Sequence, residues 1–179
     1  MAKGWHMQTP DTEDPLQPVD YPKGGIESPE WTKVTPDDPS AWNAFTYSGK
    51  GGCTNYFLGA GETDLEVNIA LGTAWIKCLK GYVYLIQRGR VMALPAQALG
   101  YLQCLTSEGI VAFCGFSDLL VIDSDGVIRY DPSAAIDNLT ILDIHHGYIA
   151  LSGMRQYVLP EEGWTVKVAD VPHFVDLES

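Results

Sequence analysis

The sequence predicts an all-β protein built from repeated four-stranded units. Two observations carry this. Gly89, Gly126 and Gly163 lie 37 residues apart, and another step back lands on Gly52. Each of these glycines falls in a short polar stretch between two apolar runs, and a fixed period of this kind marks repeated supersecondary units. From residue 41 onward, apolar, β-branched and aromatic runs are punctuated by Gly, Asp, Asn or Pro, with no convincing helical period.

The elements follow in order within each unit, as strands a to d. Strand a is TAWIKC (73–78), GIVAFC (109–114) and GYIALS (147–152). Strands b, before the marker glycines, are NAFTYS (43–48), YVYLIQ (82–87), LLVIDS (119–124) and QYVLPE (156–161). Strands c, after them, are CTNYFL (53–58), RVMALP (90–95), VIRYDP (127–132) and TVKVAD (165–170). Strand d is DLEVNI (64–69), YLQCLT (101–106), LTILDI (139–144) and HFVDLE (173–178). The first unit has no obvious strand a. The marker glycines suit the left-handed position of a two- or three-residue hairpin. Short loops favour antiparallel pairing between neighbours. Leu94–Leu99 is the least strand-like piece and is expected to make one short helical turn. Four strands per repeat point to a small β-propeller-like arrangement, with a duplicated β-sandwich as the alternative.

Residues 1–40 stand apart as a proline-rich acidic arm or strap, with 41–179 as a single β-repeat domain. The arm holds seven of the eleven prolines, and its acidic residues outnumber its basic ones eight to three. Trp31-Thr32-Lys33-Val34 is a candidate strand for the edge that the missing strand a leaves open.

Composition narrows the function. The chain has 179 residues and a formal net charge of −12, with no basic stripe, which argues against nucleic-acid binding and for a basic protein partner. The N-terminus lacks the apolar core of about 7–15 residues that a secretory signal needs. No run approaches the roughly 18 apolar residues of a membrane helix. Cys53, Cys78, Cys104 and Cys114 show no CxxC spacing and read as small buried thiols of a reducing compartment, the cytoplasm.

Residues 117–144 resemble a segment of uncharacterised bacterial β-rich proteins. There a D-G turn leads to an aromatic-containing strand and then to a W-D-G-L-like entry to the next strand. Asp125-Gly126 and Ile136-Asp137-Asn138-Leu139 stand in those places, without the tryptophan. The resemblance covers about a sixth of the chain and implies no activity.

Candidate chemistry is sparse. Asp123, Asp125 and Asp131 around Gly126 resemble half of a calcium loop, although Arg129 sits near the place of the last acid and a plain hairpin turn also explains them. Otherwise no cofactor is expected. His145-His146 is the only histidine pair; on a strand its members would point to opposite faces, whereas in a turn both could reach one ion. GAGETD (59–64) and SGKGG (48–52) fit no phosphate loop and read as hairpin loops. Trp42, Trp75 and Trp164 read as core residues.

In a propeller the b–c and d–a turns open on one face. That face would carry Glu108, Asp125, His145, His146, Glu161 and Glu162 as binding residues, with Lys50 and Arg88 as basic exceptions. The expected function is a non-enzymatic protein-interaction module with an acidic face: an accessory, toxin-neutralising or virion-type structural protein, which could form homo-oligomers. The alternative is a small hydrolase or a carbohydrate- or metal-binding β-domain using Asp and His.

Overall fold

The computed structural model describes residues 13–155 and 162–174. Within them the protein is all-β, with four sheets of three or four strands, no α-helix, and two single 3-10 turns at Gly25–Glu27 and Val168–Asp170.

The first sheet has the order β1-β3-β4-β2, from β1 (Leu16–Pro18), β2 (Thr32–Val34), β3 (Ala41–Gly49) and β4 (Gly52–Ala60). The second is β5 (Val67–Leu71), β6 (Ala74–Leu79), β7 (Tyr82–Gln87) and β8 (Arg90–Ala93), joined in chain order. The third repeats that plan with β9 (Gln103–Ser107), β10 (Ile110–Cys114), β11 (Leu119–Asp123) and β12 (Ile128–Asp131). The fourth has three strands, β13 (Asp137–His145), β14 (Tyr148–Met154) and β15 (Glu162–Lys167). All pairings are antiparallel except β2 on β4, which is parallel.

Strand alternation explains how the sheets stack. In β6 and β7, Ile76, Cys78, Val83 and Leu85 face the third sheet, where they meet Val111, Phe113, Leu120 and Ile122. The intervening Trp75, Tyr82, Tyr84 and Ile86 face the first sheet and pack with Leu16, Phe45, Tyr56 and Leu58. The third sheet's other face, Ala112, Cys114, Leu119 and Val121, packs on Ile141, Ile144, Ile149 and Leu151 of the fourth. Both faces of the two middle sheets are therefore buried, which is why their central strands read as unbroken apolar runs. The fourth sheet covers a neighbour on one side only. Its β13 residues Leu139, Ile141 and Ile144 are buried, while Thr140, Leu142, Asp143 and His145 are exposed.

Three cores join successive sheets, and none joins the fourth to the first among the described residues, so no closed ring is seen. The outer face of the first sheet is covered by the N-terminal segment. Trp31 stacks on the fully buried Phe57 at 4.6 Å between ring centroids, and Tyr21 lies on the same ring at 5.6 Å.

That segment also completes the first sheet. Against expectation, the strand Thr32–Val34 does not fill the edge left by the missing strand a but forms on the opposite edge of the sheet, beside β4. The place of the missing strand a, beside β3, is taken by Leu16–Pro18. Asp14 then reaches the second sheet, where its carboxylate accepts from Lys77 Nζ at 2.6 Å and Asn68 Nδ2 at 2.8 Å.

Four further sequence expectations need correction. Gly163 is not a turn residue: it sits within β15 opposite Ser152, and β15 takes the ladder position beside β14 expected of strand b. The expected strand 156–161 lies outside the described residues. Leu94–Leu99 forms no helix; it carries no regular element up to Gln97 and then a turn at Ala98-Leu99, closed by Gly100 N–H donating to Gln97 O at 2.8 Å. GAGETD is not a hairpin loop. Its first two residues end β4, and the remainder crosses to the second sheet, anchored by Gly61 N–H on Leu79 O at 3.1 Å. Finally, the C-terminal run starts along β12 of the third sheet, with Tyr130 N–H on Pro172 O at 2.8 Å and Phe174 N–H on Ile128 O at 2.9 Å. Arg129 ties the same segment down by donating to the carbonyls of Ala169 and Val171 at 3.1 and 3.0 Å.

Candidate functional site

The turns that open on one end of the stack are tight hairpins. Lys50-Gly51, Arg88-Gly89, Glu108-Gly109 and His146-Gly147 each link strands whose last paired residues flank the two-residue loop. In the last three, both loop residues have positive φ, 50–53° for Arg88, Glu108 and His146 and 74–75° for the glycines. This is the backbone of a type I′ turn, whose twist matches that of the strands it joins. The β11–β12 loop, residues 124–127, is longer and closes through Gly126, at φ 79°, whose N–H donates to Asp123 O at 2.9 Å.

These turns touch one another from sheet to sheet. An added Cβ at Gly72, in the β5–β6 turn, would lie 2.4 Å from Ser124 O, and one at Gly126 would lie 3.0 Å from the Gln87 amide. One at Gly109 would lie 3.4 Å from Ser124 Oγ. The b–c and d–a turns of the second and third sheets thus share one end of the protein, and the β13–β14 turn of the fourth joins them there.

At that junction Glu108, His145 and His146 converge. His145 ends β13, and His146 occupies the first turn position with φ 50°. That left-handed backbone cancels the strand alternation, and the two imidazoles lie side by side with centroids 3.7 Å apart. His145 Nδ1 is 3.4 Å from Glu108 Oε1. One donor atom from each of the three residues lies within 4.8 Å of the others, and all three side chains are exposed. Among the described residues these are the ones placed to hold a metal ion.

The remaining expected site residues are distributed differently. Asp125 is exposed at the tip of the β11–β12 turn, on the same end as Glu108. Asp123 is occupied within that turn, its Oδ1 accepting from the N–H groups of Asp125 and Val127 at 3.0 Å each. Asp131 accepts from Ser133 N–H at 2.9 Å at the other end of β12. Asp123, Asp125 and Asp131 form no shared donor group among the described residues. Glu162 opens β15 opposite Gly153, at the far end of the fourth sheet from His145 and His146. Glu161 lies outside the described residues. The basic exceptions Lys50 and Arg88 sit in turns on the same end, and Arg88 also lines, with Arg90, Lys33, Val34, Val91 and Met92, a groove of about 790 Å³ between β2 and β8.

One charged residue was missed as special. Asp118, in the β10–β11 turn at the opposite end of the third sheet, is fully buried. Burial pushes its carboxyl above the ordinary carboxylate range, against hydrogen bonds from Gln97 N–H and Tyr130 Oη. Its Oδ1 has no partner, and it lies against Gly115, where an added Cβ would approach it to 2.2 Å. The available signal was an aspartate three residues after a glycine, between two runs that are apolar on both faces.

Among the described residues no helix is long and apolar enough to cross a membrane. No protein-family model, curated protein or solved structure matches this chain, so its own geometry carries the functional reading.

Proposed function

We propose that this protein is a non-enzymatic protein-interaction module, of the accessory, toxin-neutralising or virion-structural kind, that docks a basic partner on its turn-bearing end. The reading treats the four sheets as propeller-like units left open as a row, with function residing in the turns. The observation that carries it is the placement of exposed Glu108 and Asp125 on adjacent rigid hairpins of the third sheet, in a chain of formal net charge −12. Rigid presentation lowers the ordering cost of docking, and a clustered charge of one sign steers an oppositely charged partner. All four cysteines are free; Cys78 and Cys114 are buried as expected, Cys104 is half-buried and Cys53, against expectation, is exposed, and free thiols fit a reducing compartment such as the cytoplasm.

The test is affinity purification from the native cells with the wild-type chain and with Glu108→Lys/Asp125→Lys. A basic partner retained by the first and lost with the second, with salt-sensitive binding, supports the proposal. Partners retained equally by both, or cross-links mapping to the other end of the sheets, refute it. The metal-binding half of the alternative draws support from the histidine pair, which is independent of partner docking.

A further inference from the structure

We propose that Glu108, His145 and His146 form a surface site for a single zinc-class divalent ion that clasps the third sheet to the fourth. The site shares Glu108 with the docking proposal but does not rest on it; His145 and His146 belong to the ion site alone and Asp125 to docking alone, so the two can fail separately.

The donor set is two imidazole nitrogens and one carboxylate oxygen. Zinc takes this mixture in tetrahedral geometry, whereas calcium requires a shell of hard oxygens. The spacing agrees. Bonds of about 2.0–2.1 Å at a tetrahedral angle put neighbouring donors roughly 3.4 Å apart. His145 Nδ1 and Glu108 Oε1 stand at 3.4 Å. The third donor, from His146, lies within 4.8 Å of both.

The backbone arranges this deliberately. Two histidines in sequence within a strand would diverge, but His146 is held at φ 50° by the type I′ turn that Gly147, at φ 75°, completes. A non-glycine residue in that region is uncommon. Glu108 occupies the same turn position in the preceding repeat, with φ 53°. The repeat thus supplies two equivalent turn sites whose side chains reach toward each other across adjacent sheets. Three protein ligands leave the fourth position to water. The exposure of all three side chains leaves an ion free to enter.

The experiment is isothermal titration calorimetry of the full chain with zinc chloride, and separately with calcium chloride. A Cys53→Ser background removes the exposed thiol as a competing ligand. The expected result is one zinc per chain, with affinity lowered at least tenfold by His145→Ala and by His146→Ala and several-fold by Glu108→Gln. Asp125→Asn should leave it unchanged, and calcium should give no comparable heat. In parallel, zinc should shift the imidazole nitrogen resonances of His145 and His146 in the unmutated chain while leaving His173 in place, a readout that does not depend on variants folding. Absence of saturable zinc binding, stoichiometric binding that survives His145→Ala/His146→Ala, or resonance shifts confined to His173 would overturn the proposal.

Discussion

Asp14→Ala should be among the most destabilising single changes in the N-terminal segment. Lys77 lies at the middle of β6, a central strand, and is 7% exposed. Its ammonium is held by Asp14 Oδ2 at 2.6 Å, with Asn68 Oδ1 at 3.3 Å and the Phe45 ring centroid at 5.3 Å. Removing one partner of a buried pair costs about 3–5 kcal/mol, because the remaining charge is left without compensation. The Asp14 side chain is 18% exposed, so water reaches the vacated position, and Asn68 and Phe45 stay. These lower the expected loss to about 2–4 kcal/mol. At about 2–4 °C per kcal/mol for a chain of this length, Tm should fall by roughly 4–16 °C. Urea unfolding should show a lower midpoint with an unchanged slope. The companion variant is Asp14→Ala with Lys77→Met, which removes both charges and keeps an apolar chain in the gap. It should recover to within about 1.5 kcal/mol of wild type, the remainder being the lost hydrogen bonds to Asp14 from Leu16 N–H at 2.9 Å and Asn68 Nδ2 at 2.8 Å. A change below about 0.5 kcal/mol for Asp14→Ala, or a double variant equal to the sum of the singles, would refute the argument.

Three further outcomes follow from the same structure. Gly126→Val should cost about 1–3 kcal/mol, because φ is 79° and the Gln87 amide is close, whereas Gly163→Ala should stay within about 1 kcal/mol, since among the described residues its added Cβ meets only Leu151 O at 3.7 Å; chemical denaturation of both separates a turn glycine from a strand glycine. Asp118→Asn should stabilise the protein at pH 7. The folded-state pKa of Asp118 is raised by burial, so the folded form gains relative stability as pH falls through that pKa toward the ordinary carboxylate range; the advantage of Asn should shrink over the same window, and stability-versus-pH curves that stay parallel would contradict this. Deleting residues 1–40 should lower the melting point and raise the mass seen by light scattering, because it removes β1 and β2, frees the edges of β3 and β4, and uncovers Phe57; a truncated chain matching the full length in both would show that these contacts contribute nothing.

The repeat, the all-β character and nearly every strand are local properties, and the sequence alone determined them. The period of 37 residues located hairpins at Gly52, Gly89 and Gly126, all with positive φ, because a tight turn constrains its own residues whatever surrounds it. Glu108 and the histidine pair were legible as turn residues for the same reason. Period alone failed at Gly163, where spacing suggested a turn but the ladder with β14 runs straight through. Pairing is decided by the partner strand, and the sequence of β15 contains no record of which neighbour it meets. The same holds for Asp118, whose carboxylate is met by Gln97 and Tyr130 from 21 and 12 residues away, and for Lys77, whose charge is tolerated inside a core because Asp14 arrives from a segment 63 residues away. The convergence of Glu108 with His145 and His146 is likewise tertiary. Each turn was readable separately, and only the stacking of the third sheet on the fourth, driven by the apolar faces between them, brought the three side chains together.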